Sequence, residues 1–201
     1  MESSLTAALQ VLVDRIAESV RPDQVVPAYL AGGTATWLHL HKMGGSHADQ
    51  ARYSEDANIH FGRSLFFDRN IAIAYADDGG EQRLLSLDGS YSIDIGLRHP
   101  GCFEQAEYFL SSTNGRIRLY LLNPLDLAVT KTGRYQAHDR TDIALLAGAG
   151  LLDAENFRQR ATEALDYLAT DPAMVQINID EAVELIEKTS RAEPSDAGSD
   201  N

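Results

Sequence analysis

The feature that most constrains the fold is a change of hydrophobic period near residue 122. Before it, short apolar runs rich in alternating and β-branched residues predict strands, which cover residues 25–31, 57–61, 71–76, 83–87, 91–97 and 116–121. After it, apolar residues recur at helical spacing and predict helices from residue 124 and over 137–149, 153–170 and 172–187. This order is typical of a mixed α/β (α+β) sheet with a C-terminal helical bundle.

Two further helices are predicted in the first half of the chain, over residues 3–20 and 35–42. Thr34 is the predicted cap of the second helix, because a threonine hydroxyl can accept from the first free amides. Asp88-Gly89 is a preferred two-residue turn, so the strands at 83–87 and 91–97 are expected to pair as a hairpin.

These patterns divide the chain into three parts. Residues 1–122 form the sheet core with its N-terminal helices, and residues 123–188 form a helical part of the same domain. Residues 189–201 are polar and lack periodicity, so we expect a disordered tail there.

The charge of the chain restricts its partners. The formal net charge is −13, which argues against non-specific binding to nucleic acid but leaves room for a local basic patch. No apolar run reaches the length of a membrane span, and the first residues lack the basic and apolar pattern of a signal peptide. We therefore expect a cytoplasmic protein with no membrane partner.

The segment Gly32-Gly33-Thr34 lies where a predicted strand passes into a helix. Glycines allow a ligand to approach the backbone closely, and a helix N-terminus offers free amides to phosphate. Taken alone, these three residues also fit an ordinary strand-to-helix turn.

Acidic and amide side chains mark two of the predicted strands. Asp56, Asn58 and His60 alternate along the first of these strands and should share one face. Asp94 stands between two isoleucines on the strand predicted at 91–97. If the two strands are neighbours, Asp56, Asn58 and Asp94 form an oxygen-rich site of the kind that binds Mg²⁺. The other interpretation is a solvent-facing side of an edge strand.

Together, Gly32-Gly33-Thr34, Arg52-x-Ser54-x-Asp56-x-Asn58 and Asp94 resemble the signature of the nucleotidyltransferase superfamily. The residue pattern is similar to that of the branch that contains AbiEii-type toxins and related nucleotidyltransferase-like domains of unknown function. The later segment from Asn123 through Lys131 to Asp142 resembles a second motif of that branch. The resemblance covers roughly residues 25–187 and implies a nucleotidyltransferase-type mixed sheet flanked by helices.

The resemblance also implies a chemistry, which is Mg²⁺-dependent transfer of a nucleotidyl group from a nucleoside triphosphate to an RNA or protein acceptor. In the toxin branch the acceptors include tRNA ends, and an antitoxin protein is the partner. The implied catalytic residues are Asp56, Asp94, Lys131 and Asp142, with Asp142 supporting the site or holding Lys131. The implied nucleotide-binding residues are Gly32, Gly33, Thr34, Arg52 and Ser54, and the implied metal ligands are Asp56, Asn58 and Asp94.

One departure from that pattern concerns catalysis. The second acid of the strand motif is Asn58, whose amide can offer an oxygen to Mg²⁺ but brings no negative charge. The segment between Gly33 and Asp56 is also long for the pattern. Three functions are therefore open: an active nucleotidyltransferase, a degenerate member that binds a nucleotide or a protein without chemistry, and a structural role unrelated to nucleotides.

Overall fold

The structure is a computed structural model that describes residues 4–44, 53–89, 91–93 and 96–192. By its internal contacts the chain divides into two compact units. The sheet unit takes in residues 4–38, 53–93 and 101–123, and the helical unit takes in residues 39–44, 96–100 and 124–192.

A mixed sheet forms the sheet unit, which confirms the predicted α/β class. The elements that precede residue 124, in chain order, are α1 (Ser4–Ala17), β1 (Val26–Ala31), α2 (Gly32–Met43), β2 (Asp56–Phe61), β3 (Ala72–Ala76), β4 (Gln82–Leu87), a short 3₁₀ helix (Pro100–Cys102), β5 (Glu107–Ser111) and β6 (Ile117–Leu121). Residues 39–43 of α2 and residue 100 of the 3₁₀ helix belong to the helical unit. The strands follow the order β3-β4-β2-β1-β6-β5. β1 pairs with β6 and β2 with β4 in parallel, and the other neighbours are antiparallel.

Helix α1 packs against β3, β4, β5 and β6. Its apolar residues recur every three or four positions, which gives the helix one face to bury, and Leu9, Leu12 and Ile16 on that face are fully buried. The central strands alternate in the same sense, with Leu30, Ile59 and Leu85 in the core. The hydrophobic pattern that predicted the sheet is therefore the pattern that builds its core.

The predicted strand over residues 91–97 is wrong for the residues described. Tyr91 and Ser92 are irregular and Ile93 lies in a turn, while residues 94 and 95 lie outside the described part of the chain. The predicted hairpin with β4 is wrong as well. One edge of β4 pairs with β3 and the other with β2, so β4 has no edge left for a third strand.

Strand β5 was not predicted from the sequence. Its burial does not alternate, because Glu107 and Tyr108 are both exposed at its start. The available signal was Asn114-Gly115 between two apolar runs, since Asn-Gly is a preferred hairpin turn. In the structure β5 and β6 are the two antiparallel strands on either side of it.

The helical unit contains α3 (Pro124–Thr132), α4 (Ala137–Gly148), α5 (Ala154–Leu165) and α6 (Ala173–Ala192). Helix α6 packs on both α4 and α5, and α3 packs on α5. Helix α5 ends earlier than predicted, at Leu165, and α6 continues to Ala192, so residues 189–192 of the predicted tail are helical. The rest of that tail lies outside the described residues. Within the described chain, no helix has both the length and the apolar content needed to cross a membrane.

Buried carboxylates in the helical unit are paired with basic side chains. Asp126 accepts two hydrogen bonds from Arg160, at 2.8 and 3.0 Å. Asp139 accepts two from Arg134, at 3.0 and 2.9 Å, and one from the backbone N–H of Gln136 at 3.0 Å. Burial opposes the charge on Asp139, but these donors outweigh it and hold the pKa of its carboxyl below the ordinary value.

This lowered pKa makes the stability of the helical unit depend on pH. A carboxyl with a depressed folded pKa stabilises the fold above its unfolded pKa, near 4, and that contribution is lost as the pH falls through the folded value. We expect Asp139→Asn to lower the free energy of unfolding at pH 7 by about 1–2 kcal/mol, a modest loss because Arg134 is largely exposed. Denaturant unfolding between pH 3 and 7 checks it. A deficit that does not shrink below pH 4 would contradict this account.

Candidate functional site

The predicted faces of β2 are confirmed. Ala57 and Ile59 are buried in the core, whereas Asp56 is exposed and Asn58 and His60 are half-buried. Because side chains alternate along a strand, Asp56, Asn58 and His60 lie together on the other face. The polar side chains of this strand are therefore placed where a ligand can reach them.

Asn58 is the centre of the site, because it contacts two other segments. Its side-chain N–H donates to a carboxylate oxygen of Asp88 at 3.0 Å. The other side of the same amide lies against the α-carbon of Gly32, and a Cβ added there would come within 2.9 Å of the Asn58 Cγ. A single side chain thus joins the glycine turn to a carboxylate at the end of β4.

Gly32 is required at this place for two reasons. Its φ is +70°, a left-handed conformation that costs other residues energy. Its missing side chain also leaves the room that the Asn58 amide occupies. The strand register explains the approach, since Ala31 and Asn58 are direct partners across β1 and β2. Gly33 follows in the first turn of α2, so the glycine pair brings the start of that helix to the polar face of β2.

Two of the predicted nucleotide-binding side chains contact the backbone of Asp56. The Thr34 hydroxyl donates to the Asp56 carbonyl oxygen at 2.6 Å, and the Ser54 hydroxyl lies 3.4 Å from the same oxygen. Thr34 is fully buried. It does not cap α2 as predicted, because that helix begins two residues earlier, at Gly32. In this arrangement Thr34 and Ser54 fix the start of β2.

Asp88 is the site residue that the sequence did not single out. It was interpreted as half of an Asp-Gly turn, and its carbonyl does accept the turn hydrogen bond from the Tyr91 N–H at 3.2 Å. Its own N–H donates to the Ala57 carbonyl at 3.1 Å and extends the parallel pairing of β4 with β2. Asp56 is the register partner of Ser86, so Asp56, Asn58, Ser86 and Asp88 share one face of the strand pair. The usable signal was Ser86-x-Asp88, a polar alternation that continues from a buried strand.

An open groove with a volume of 670 Å³ lies along three of these side chains, those of Asp56, Ser86 and Asp88. Residues 69–72 also line it. Such a volume accommodates a ligand of nucleotide size. We call it the Asp56 groove.

The oxygen donors of the groove suit Mg²⁺ only in part. Carboxylate, amide and hydroxyl oxygens are the ligands that this ion prefers. Among the described residues, however, no three His, Cys, Asp or Glu side chains are grouped to hold a metal. Two of the predicted residues, Arg52 and Asp94, lie outside the described residues. One or two carboxylates fit an ion that arrives on a nucleotide and keeps phosphate and water ligands.

Lys131 and Asp142 lie in the helical unit and are brought together there. The Lys131 Nζ lies 2.6 Å from a carboxylate oxygen of Asp142, and both side chains are buried. The structure therefore places Asp142 where it holds Lys131. In this arrangement the lysine charge is directed at Asp142.

No protein-family model, curated protein or solved structure gives a significant match to the chain. The functional argument therefore depends on the residues of the Asp56 groove and their contacts.

The contact between Gly32 and Asn58 can be tested with a matched pair of substitutions. Gly115 has nearly the same φ, +71°, but open space around its α-carbon. Gly115→Ala should therefore lower the free energy of unfolding by the backbone cost alone, about 1–2 kcal/mol. Gly32→Ala should cost about 1–3 kcal/mol more, because the new methyl overlaps the Asn58 amide. Denaturant unfolding measures both.

A second change separates the two causes. Adding Asn58→Ala to Gly32→Ala removes the overlapping amide and should recover most of the excess loss. Equal losses of unfolding free energy for Gly32→Ala and Gly115→Ala would show that the Asn58 amide does not contact Gly32 closely.

The buried pair gives a separate prediction for the helical unit. Lys131→Met leaves the Asp142 carboxylate buried without its cation and should cost about 3–5 kcal/mol in unfolding free energy. Adding Asp142→Leu should recover much of this loss. As a control, Arg158→Ala removes the cation of an exposed pair with Asp180 in the same unit and should cost less than about 1 kcal/mol. An unchanged stability for Lys131→Met would mean that the lysine is not committed to Asp142.

Proposed function

We propose that the chain is a Mg²⁺-dependent nucleotidyltransferase, which transfers a nucleotidyl group from a nucleoside triphosphate to an RNA or protein acceptor. The observation that carries the proposal is the position of Asn58 between Gly32 and Asp88. This side chain unites a glycine turn at a helix start, a polar strand face and a carboxylate on the neighbouring strand. The resemblance to AbiEii-type toxins adds that the chain acts as the toxin of a toxin–antitoxin pair, with an antitoxin protein as partner.

The Gly32-Gly33 turn supports the phosphate-binding part of this proposal. The free amides at the start of α2 carry a partial positive charge, and the first turn of that helix holds no acidic side chain to oppose an anion. Asn58 connects this turn to Asp88, and Asp88 lines the Asp56 groove, which has room for a ligand of nucleotide size.

Asp56 and Asp88 are the carboxylates that would hold the nucleotide's Mg²⁺. When bound, the ion neutralises charge that develops on the phosphates during transfer. In the transfer itself an acceptor hydroxyl oxygen bonds to the α-phosphorus, the bond to the bridging oxygen breaks, pyrophosphate leaves and the hydroxyl proton passes to water. The task of this chain is to position the two substrates and to orient Asp88 through Asn58.

A second candidate function is nucleotide binding without transfer. It is favoured by the role of Asn58, whose amide is used between Asp88 and Gly32 and adds no charge to the site. Among the described residues two carboxylates, those of Asp56 and Asp88, line the groove, and two hold a cation more weakly than three would. The same groove would then bind a nucleotide or a protein without catalysing a transfer.

Binding calorimetry with each nucleoside triphosphate and Mg²⁺ is the deciding measurement. We expect one triphosphate to bind only when Mg²⁺ is present, and Asp56→Ala to weaken it by at least about tenfold, since a carboxylate contact to the ion is lost. Glu55→Ala is the matched control, because this neighbouring acid does not line the groove. No Mg²⁺-dependent binding of any triphosphate would overturn the proposal.

The two candidate functions differ in turnover and in the effect of Asn58→Asp. Release of pyrophosphate in the presence of cellular RNA or protein, lost in Asp56→Ala, indicates transfer, and binding without release indicates the binding module. Asn58→Asp puts a second carboxylate beside Asp88, so we expect tighter Mg²⁺ binding and a stability that depends on Mg²⁺. If Mg²⁺ affinity does not rise, position 58 lies outside the metal shell.

A further inference from the structure

A second pocket opens next to the Asp56 groove in the sheet unit. It has a volume of 330 Å³ and is formed by the end of β2, the connection that follows it and the residues after β4. The polar side chains in its lining include those of His60, Arg63, Ser64, Arg69, Asp88 and Tyr91. We call it the Arg63 pocket.

Two arginines give this pocket its character. Among the described residues, Arg63 has neither a hydrogen-bond nor an ion-pair partner. Arg69 donates one N–H to the Gly89 carbonyl oxygen at 2.7 Å, and its other guanidinium donors have no partner among the residues that the structure describes. The Asp88 carboxylate lines the same pocket and offsets one of these charges, so the lining keeps an excess positive charge that favours an anionic ligand in a chain with a net charge of −13.

The pocket and the groove share a wall. Arg69, Leu87, Asp88 and Gly89 line both cavities. Within this wall Gly89 packs closely on Arg69, because a Cβ added to Gly89 would come within 2.9 Å of the Arg69 Cβ. A group transfer needs two substrates in adjoining sites, and these two cavities adjoin at the carboxylate that Asn58 orients.

We propose that the Arg63 pocket binds the acceptor, and that this acceptor carries a phosphate monoester held by Arg63 and Arg69. Guanidinium groups suit phosphate because they present several donors in one plane. The volume limits the bound part to about one nucleotide. The assignment of the ligand as the acceptor rests on the proposed function, whereas the anion site itself does not.

The test uses adenosine 5′-monophosphate and inorganic phosphate as probes, without Mg²⁺ and without triphosphate, and measures binding by calorimetry. We expect both probes to bind the wild-type chain, and uncharged adenosine to bind much more weakly. Arg63→Ala should weaken binding of the monophosphate by about tenfold or more, because a charge-assisted contact is lost. Arg21→Ala removes the same charge from an exposed position that lines neither cavity, and should change the affinity less than twofold.

A comparison of two variants separates this inference from the proposed function. Arg63 lines only the Arg63 pocket and Asp56 only the groove. Arg63→Ala should leave Mg²⁺-dependent triphosphate binding intact, and Asp56→Ala should leave monophosphate binding intact. If Arg63→Ala does not weaken monophosphate binding, or if the wild-type chain does not bind monophosphate at millimolar concentration, the anion site is overturned while the transferase proposal stands. Arg63-dependent monophosphate binding without any triphosphate binding supports the anion site and overturns the transferase.

Discussion

The arrangement of the candidate site depends on one amide, that of Asn58, which lies between Gly32 and Asp88. The contact with Gly32 is steric and needs a residue without a side chain in a left-handed conformation. The contact with Asp88 is a hydrogen bond to a carboxylate, which is stronger than a neutral one. Because these contacts lie on opposite sides of the same group, the helix start and the end of β4 cannot shift independently of each other.

Charge is distributed differently in the two units. In the helical unit the buried carboxylates of Asp126, Asp139 and Asp142 each have a basic partner, so their charges are balanced internally. A buried pair of this kind stabilises little by itself but costs a great deal when one partner is lost. In the sheet unit, the carboxylate of Asp56 is exposed, and Arg63 has no partner among the described residues. Groups whose charge is unbalanced are the ones available to a ligand.

The sequence predicted the fold class and most elements because period and burial agree in β1, β2, β6 and the C-terminal helices. It predicted the shared face of Asp56 and Asn58 for the same reason, since alternation is a local property. It did not predict Asp88, because that residue joins the site through parallel pairing of β2 with β4, a contact between strands about 30 positions apart along the chain. Local patterns cannot reveal which strand lies beside which. The predicted hairpin paired the strand at 83–87 with residues 91–97, whereas in the structure that strand pairs with β2 and β3.

The amide at position 58 can now be explained by its neighbour. An aspartate there would face the Asp88 carboxylate, and two unit charges about 4 Å apart repel by about 4 kcal/mol at an effective dielectric constant near 20. A bound cation or a shared proton would be needed to relieve that repulsion, whereas Asn58 replaces it with a hydrogen bond to Asp88. Asn58 therefore favours a site that is preorganised before its ligand arrives.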